Sequence, residues 1–199
     1  MSSMPSSRLD LGPCEAVLQR PEAASRVVVL PGMAYSIQAP LLWFAQELAL
    51  AHGAGVVAVD DRLPADSDPF VWARDRAQRA LDLDPPAERV VVVGKSLASA
   101  AAALVAERGL PAAWLTPLLD QRFVLDGLAR VTAPTLLVGG SADGTWKPSA
   151  LAPNAAIEVV ELPGLDHSLQ APGDPAASVQ ALERAVAIMD RFVSAALRG

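Results

Sequence analysis

Cysteine is almost absent: Cys14 stands alone in 199 residues, so no internal disulfide can form and no oxidising compartment is implied. Lysine is nearly as scarce, with only Lys95 and Lys147, and the arginines are scattered. Sixteen basic against twenty-two acidic residues leave a formal net charge of −6. A chain of that sign with no basic patch repels phosphate backbones, so no nucleic-acid partner is expected. No apolar run approaches the ~20 residues that cross a bilayer. Met1 to Asp10 is polar and Ser-rich, without the charged start and apolar core of an export signal. No membrane partner is expected, and the expected location is cytoplasmic. One cysteine and two histidines offer no transition-metal cluster at ligand spacing, so no metal or organic cofactor is expected.

What is present is apolar. Hydrophobic residues make up 52% of the chain and charged ones 19%, which excludes disorder over its whole length. The length fits one domain, residues 1–199, with 1–12 as a loose N-terminal tail. Cys14 to Gln19 reads as a short edge strand. Val27 to Leu30 is a β-branched run stopped by Pro31-Gly32, the pattern of a strand buried on both faces. Pro40 to His52 has helical periodicity and Gly53 to end it. Val56 to Val59 is the next buried strand, and Pro69 to Leu83 a helix. Arg89 to Val93 is the most β-prone segment, followed by an alanine-rich helix over Leu97 to Arg108. Pro111 to Leu115, Pro134 to Val138 and Ile157 to Leu162 read as strands, Gln121 to Arg130 as a helix, and Lys147 to Leu151 as one helical turn. Asp174-Pro175 is an N-cap with proline at the first helical position. The helix it opens carries Val179, Leu182, Val186, Met189 and Val193, a stripe suited to docking on a sheet. Strands alternating with helices imply right-handed crossovers and a mostly parallel sheet covered on both faces, an α/β fold.

Function in such sheets sits beyond the carboxyl ends of the strands. After the central strand comes Gly94-Lys95-Ser96-Leu97-Ala98. A serine between small residues at −2 and +2, on a strand-to-helix turn, has the pattern of a nucleophile elbow. It would sit at a helix N-terminus, where the Leu97 amide favours developing negative charge. Ala98 replaces the usual second glycine, the smallest available departure. Gly94-Lys95-Ser96 also matches the end of a phosphate-binding P-loop, which would suggest a nucleotide-dependent transferase. That motif needs glycine where Arg89 stands, and the valines between cannot curl around a phosphate. An ordinary Gly-Ser turn is the remaining alternative.

Asp143, in Gly140-Ser141-Ala142-Asp143-Gly144, follows a later strand, where it either caps a turn or orients a histidine. His167 lies in a polar loop past the last strand and is the better general base, since His52 closes a helix. Ser96, Asp143 and His167 each follow a different strand, in the chain order Ser…Asp…His. Pro31-Gly32-Met33 follows an earlier strand; there the Met33 amide is a candidate second oxyanion donor beside that of Leu97.

Together, from Val27 to Leu197, these residues resemble the α/β-hydrolase superfamily. Gly94-Lys95-Ser96-Leu97-Ala98 resembles its nucleophile elbow, and Pro31-Gly32-Met33 its His-Gly-x oxyanion loop with proline in place of histidine. The Gly-Lys-Ser elbow and short chain are similar to small, lidless members of the dienelactone-hydrolase and KANL3/Tex30-like kinds. The resemblance implies a three-layer fold, and Thr116 to Asp120, where lids usually enter, is too short for one. It further implies cleavage of a small ester or thioester, a small-molecule acyl substrate, through a Ser-His-Asp triad and an acyl-enzyme. Tyr35, Leu118, Trp146 and Leu169, with Met33 and Leu97, are placed to line an apolar pocket, though each also suits the core. Lys95 reads as a solvated or ion-paired side chain, with Asp120 as partner, or as an attractor for a substrate carboxylate. Asp120 and Asp166 are alternatives to Asp143 for the acid. A catalytically silent scaffold serving as a binding module would keep the same motif slots.

Overall fold

The computed structural model describes residues 6–12 and 14–199. Its eight strands are β1 (Ser6–Asp10), β2 (Glu15–Gln19), β3 (Ser25–Leu30), β4 (Gly55–Val59), β5 (Arg89–Lys95), β6 (Ala112–Leu115), β7 (Thr135–Gly140) and β8 (Ile157–Leu162). The helices are α1 (Pro40–Ala51), α2 (Pro69–Leu81), α3 (Ala102–Glu107), α4 (Arg122–Leu128) and α5 (Pro175–Arg198). One sheet runs in the order β1-β2-β4-β3-β5-β6-β7-β8. From β4 to β8 all neighbours are parallel, whereas β1 and β2 are antiparallel.

The β-branched runs are buried on both faces because alternate residues serve two cores. Val27, Val29, Val56, Val91, Val93 and Val138 pack with α1 and α5 on one side. Val28, Val57, Val92, Trp114 and Leu137 pack with α2, α3 and α4 on the other. Each such side chain contributes about 1.5–3 kcal/mol relative to exposure. Asp68 caps α2 by accepting from the amides of Phe70 and Val71, and Asp174 caps α5 by accepting from Ala177.

Four expectations change. Residues 6–10 of the expected tail are β1, paired with β2, so β2 is not the edge; residues 1–5 lie outside the described residues. The helix expected over 97–108 is divided, with a 3₁₀ segment at Ser96–Ala101 before α3. There the Ser99 hydroxyl donates to the Ser96 carbonyl and competes for the regular helical bond. In α5, Val179 is 68% exposed, and Ala181 and Ala185 lie against the core instead. Two helices are shorter than expected: α2 ends at Leu81 rather than Leu83, and α4 spans Arg122–Leu128 rather than Gln121 to Arg130.

Among the described residues, no helix is long and apolar enough to cross a membrane.

Candidate active site

The elbow follows from steric exclusion. Ser96 has φ +51°, in the left-handed region that non-glycine residues rarely adopt. A Cβ at Gly94 would lie 3.0 Å from the Ala98 Cβ and 2.5 Å from the Trp114 ring. Only a residue without a side chain fits at −2, and alanine suffices at +2. The Ser99 hydroxyl holds the turn from below, donating to the Ser96 carbonyl at 2.7 Å and accepting from the Leu118 amide at 3.1 Å. Because β5 stays extended through Lys95, no phosphate-cradling loop forms there, and the P-loop alternative falls.

Three distant loops meet over this turn. Ser96 Oγ lies 2.7 Å from His167 Nε2, and His167 Nδ1 lies 2.7 Å from Asp143 Oδ2. The Asp143 side chain is 1% exposed and the His167 side chain 39%, so the carboxylate is sealed while the imidazole keeps an open edge. With Nδ1–H donating to the carboxylate, Nε2 is left to accept from the serine hydroxyl.

Thr145 completes the acid loop. Its amide and its hydroxyl each donate to Asp143 Oδ1 at 2.8 Å, and its hydroxyl lies 3.2 Å from His167 Nδ1. The second carboxylate oxygen is thereby fixed, leaving Oδ2 for the histidine. Thr145 carried no role in the sequence reading; the Asp-x-Thr spacing is the signal, because a residue two beyond an aspartate often folds back on it.

Neither alternative acid bonds the His167 ring. Asp120 is exposed. Asp166 Oδ1 accepts from the Ser168 and Gln170 amides, the work of a turn cap. His52 ends α1, with Nε2 2.6 Å from Asp190 on α5.

Met33 belongs to a tight turn closed by a bridge between Gly32 and Tyr35. A Cβ at Gly32 would come within 3.5 Å of the Ser96 Cβ, so this turn lies directly against the elbow. Leu97 follows Ser96 as the first residue of the elbow's descending arm, and its side chain packs with Trp72, Ala73 and Ala100. Beside the Met33 turn is a cleft of about 710 Å³ lined by residues 31–39 and 59–63. Tyr35 lines it, while its hydroxyl accepts from the Leu41 amide at 3.0 Å. The remaining expected pocket residues sit elsewhere. Trp146 is buried in the core against Gly139, its indole N–H donating to Glu161. Leu169 is buried among the α1 and α5 side chains, and half-buried Leu118 packs beside Leu97 and Trp72. The wall is also less apolar than expected, since Asp60, Asp61 and Arg62 join Met33, Ile37 and Leu63.

Lys95 departs furthest from expectation. It is 1% exposed, with no solvated head and no contact to Asp120; its Nζ donates to Thr116 Oγ1 at 2.7 Å and to the His167 carbonyl at 2.8 Å. Burial lowers its ammonium to about 8, with Asp143 and Asp166 pulling the other way.

This eight-stranded, mostly parallel sheet is similar to that of solved structures. The fold is that of the lidless α/β-hydrolases. A Xanthomonas campestris α/β serine hydrolase without a lid matches with TM-score 0.70 at 15% identity, over all of this chain and 95% of that one. An Agrobacterium tumefaciens protein described as a putative α/β hydrolase matches with TM-score 0.71 at 18% identity, over 94% and 95%. A Coxiella burnetii α/β serine hydrolase homologue matches with TM-score 0.69 at 11% identity, over 96% and 98%. No family model matches the sequence, and no curated protein matches it either. The connection from β6 to α4 is brief, residues 116–121, with no element inserted over the elbow.

Proposed function

We propose that the chain is a serine hydrolase of small esters or thioesters. The observation that carries this reading is the pair of 2.7 Å contacts linking Ser96, His167 and Asp143. In the reaction, His167 Nε2 takes the Ser96 proton as Oγ attacks the substrate carbonyl carbon. Asp143 holds the imidazole tautomer and stabilises the imidazolium. The amides of Met33 and Leu97 receive the oxyanion, each worth ~3 kcal/mol in comparable sites. Collapse of the tetrahedral adduct breaks the bond to the alcohol or thiol, which leaves with the proton from His167. Water, deprotonated by the same imidazole, then attacks the acyl-serine, and the acid departs as Oγ regains its proton. The cleft beside Met33 adjoins the elbow through the Gly32 turn, and Asp60, Asp61 and Arg62 in its wall disfavour long apolar chains.

Turnover of p-nitrophenyl esters from acetate to decanoate tests this. The expected result is hydrolysis that favours the short chains and falls by at least ~10³-fold in Ser96→Ala. A folded wild-type protein with no more hydrolysis than Ser96→Ala would instead indicate a silent scaffold.

A further inference from the structure

Lys95 touches nearly every loop that builds the site. It ends β5 and immediately precedes Ser96. Its Nζ bonds Thr116 at the end of β6 and the carbonyl of His167 beyond β8, and it lies 4.9 Å from the ring centroid of Tyr35 in the Met33 turn. Buried ammonium groups are costly even when their donors are met, and an apolar side chain of equal length would avoid that cost. The backbone around these contacts is strained as well. Among the described residues, four non-glycines have positive φ, and three lie at or within two residues of Lys95 and its partners: Ser96 at 51°, Thr116 at 46° and Leu169 at 56°. For a β-branched residue such as Thr116 this is an outlier, and such strain persists only where surroundings hold it.

We propose that Lys95 is a positioning residue, whose ammonium clamps the His167 carbonyl to the Thr116 hydroxyl so that the imidazole stays aimed at Ser96 Oγ. It rests on the hydrolase reading and acts through the base loop, touching no reacting atom. The clamp is sensitive to pH. The carboxylates of Asp143 and Asp166 favour the ammonium, while burial favours the amine and brings the transition to about 8. The other titratable neighbours are the imidazole of His167 and the phenol of Tyr35, which burial pushes above its ordinary value. The neutral amine retains enough N–H groups for both bonds, but without charge assistance they are about half as strong, and the attraction to the Tyr35 ring is lost. The clamp therefore loosens, rather than releases, as pH rises.

Lys95→Met keeps an unbranched chain one atom shorter and removes charge and donors. With p-nitrophenyl acetate, kcat is expected to fall by roughly tenfold to a hundredfold, with KM unchanged within about twofold. Wild-type kcat is expected to step down by roughly twofold to tenfold around pH 8, to a plateau, and the variant to lack that step. Unchanged kcat, or a variant that keeps the step, would overturn the clamp and leave the hydrolase reading intact. A reading independent of activity is hydrogen exchange of amides 164–171, expected to be faster in Lys95→Met. If the wild type shows no turnover, the hydrolase reading fails by itself, and equal exchange would then overturn the clamp too. Should Lys95→Met not fold, Thr116→Val removes one acceptor. A smaller loss of kcat and a step moved to lower pH are expected there, and the absence of both would overturn the proposal.

Discussion

Ser96 holds a backbone conformation that costs a non-glycine residue of order 1–3 kcal/mol, and the residues around it show how the fold sustains it. Gly94 leaves room for the Trp114 ring, Ala98 stays small, and Ser99 ties down the Ser96 carbonyl. Gly94→Ala would push a methyl to within 2.5 Å of Trp114, which is fully buried and cannot swing away. We expect a loss of about 1–3 kcal/mol in urea unfolding, together with impaired ester turnover. Gly144→Ala, which meets nothing within 4 Å, is the control and should stay within about 0.5 kcal/mol. Ser96, Asp143 and His167 were legible in sequence because each is a reactive type placed just beyond a strand. Lys95, Ser99 and Thr116 were not, because their meaning depends on which backbone atoms arrive from other loops. A lysine beside a nucleophile reads as solvated until the His167 carbonyl and the Thr116 hydroxyl are seen to converge on it.

Among the elements, the buried strands were the most readable, since runs such as Val27 to Leu30 and Arg89 to Val93 admit few other structures. Helix faces were less so. The α5 stripe drawn through the largest apolar residues turns out to be rotated, with alanines nearest the sheet and Val179 in solvent. Small residues allow closer approach of helix and sheet, a packing preference that hydrophobicity alone does not encode. Met189, on both the expected and the observed face, is fully buried between α5 and the sheet. Met189→Ala should therefore cost about 2–5 kcal/mol of unfolding free energy, whereas Val179→Ala should change it by less than about 0.5 kcal/mol. Equal effects at the two positions would contradict the observed orientation. β1 was hidden for a different reason: a polar Ser-rich segment has no alternation to mark it, and pairing with β2 is what makes it a strand.

At the scale of the molecule, the sheet brings the exits of β3, β5, β7 and β8 to one edge, so residues more than seventy positions apart share a hydrogen bond. The class of fold followed from the alternation of strands and helices, but the antiparallel β1 and β2 and the mixed polarity of the cleft did not. The cleft's walls come from loops whose approach no local pattern describes. With no insertion between β6 and α4, Ser96 should be open to reagents in solution. Peptide mass mapping after treatment with a fluorophosphonate, which phosphonylates only an activated serine, addresses the central claim most directly. The account predicts one adduct, on Ser96, lost in both Ser96→Ala and His167→Ala; folded wild-type protein that stays unmodified, or carries its adduct on another residue, would contradict it.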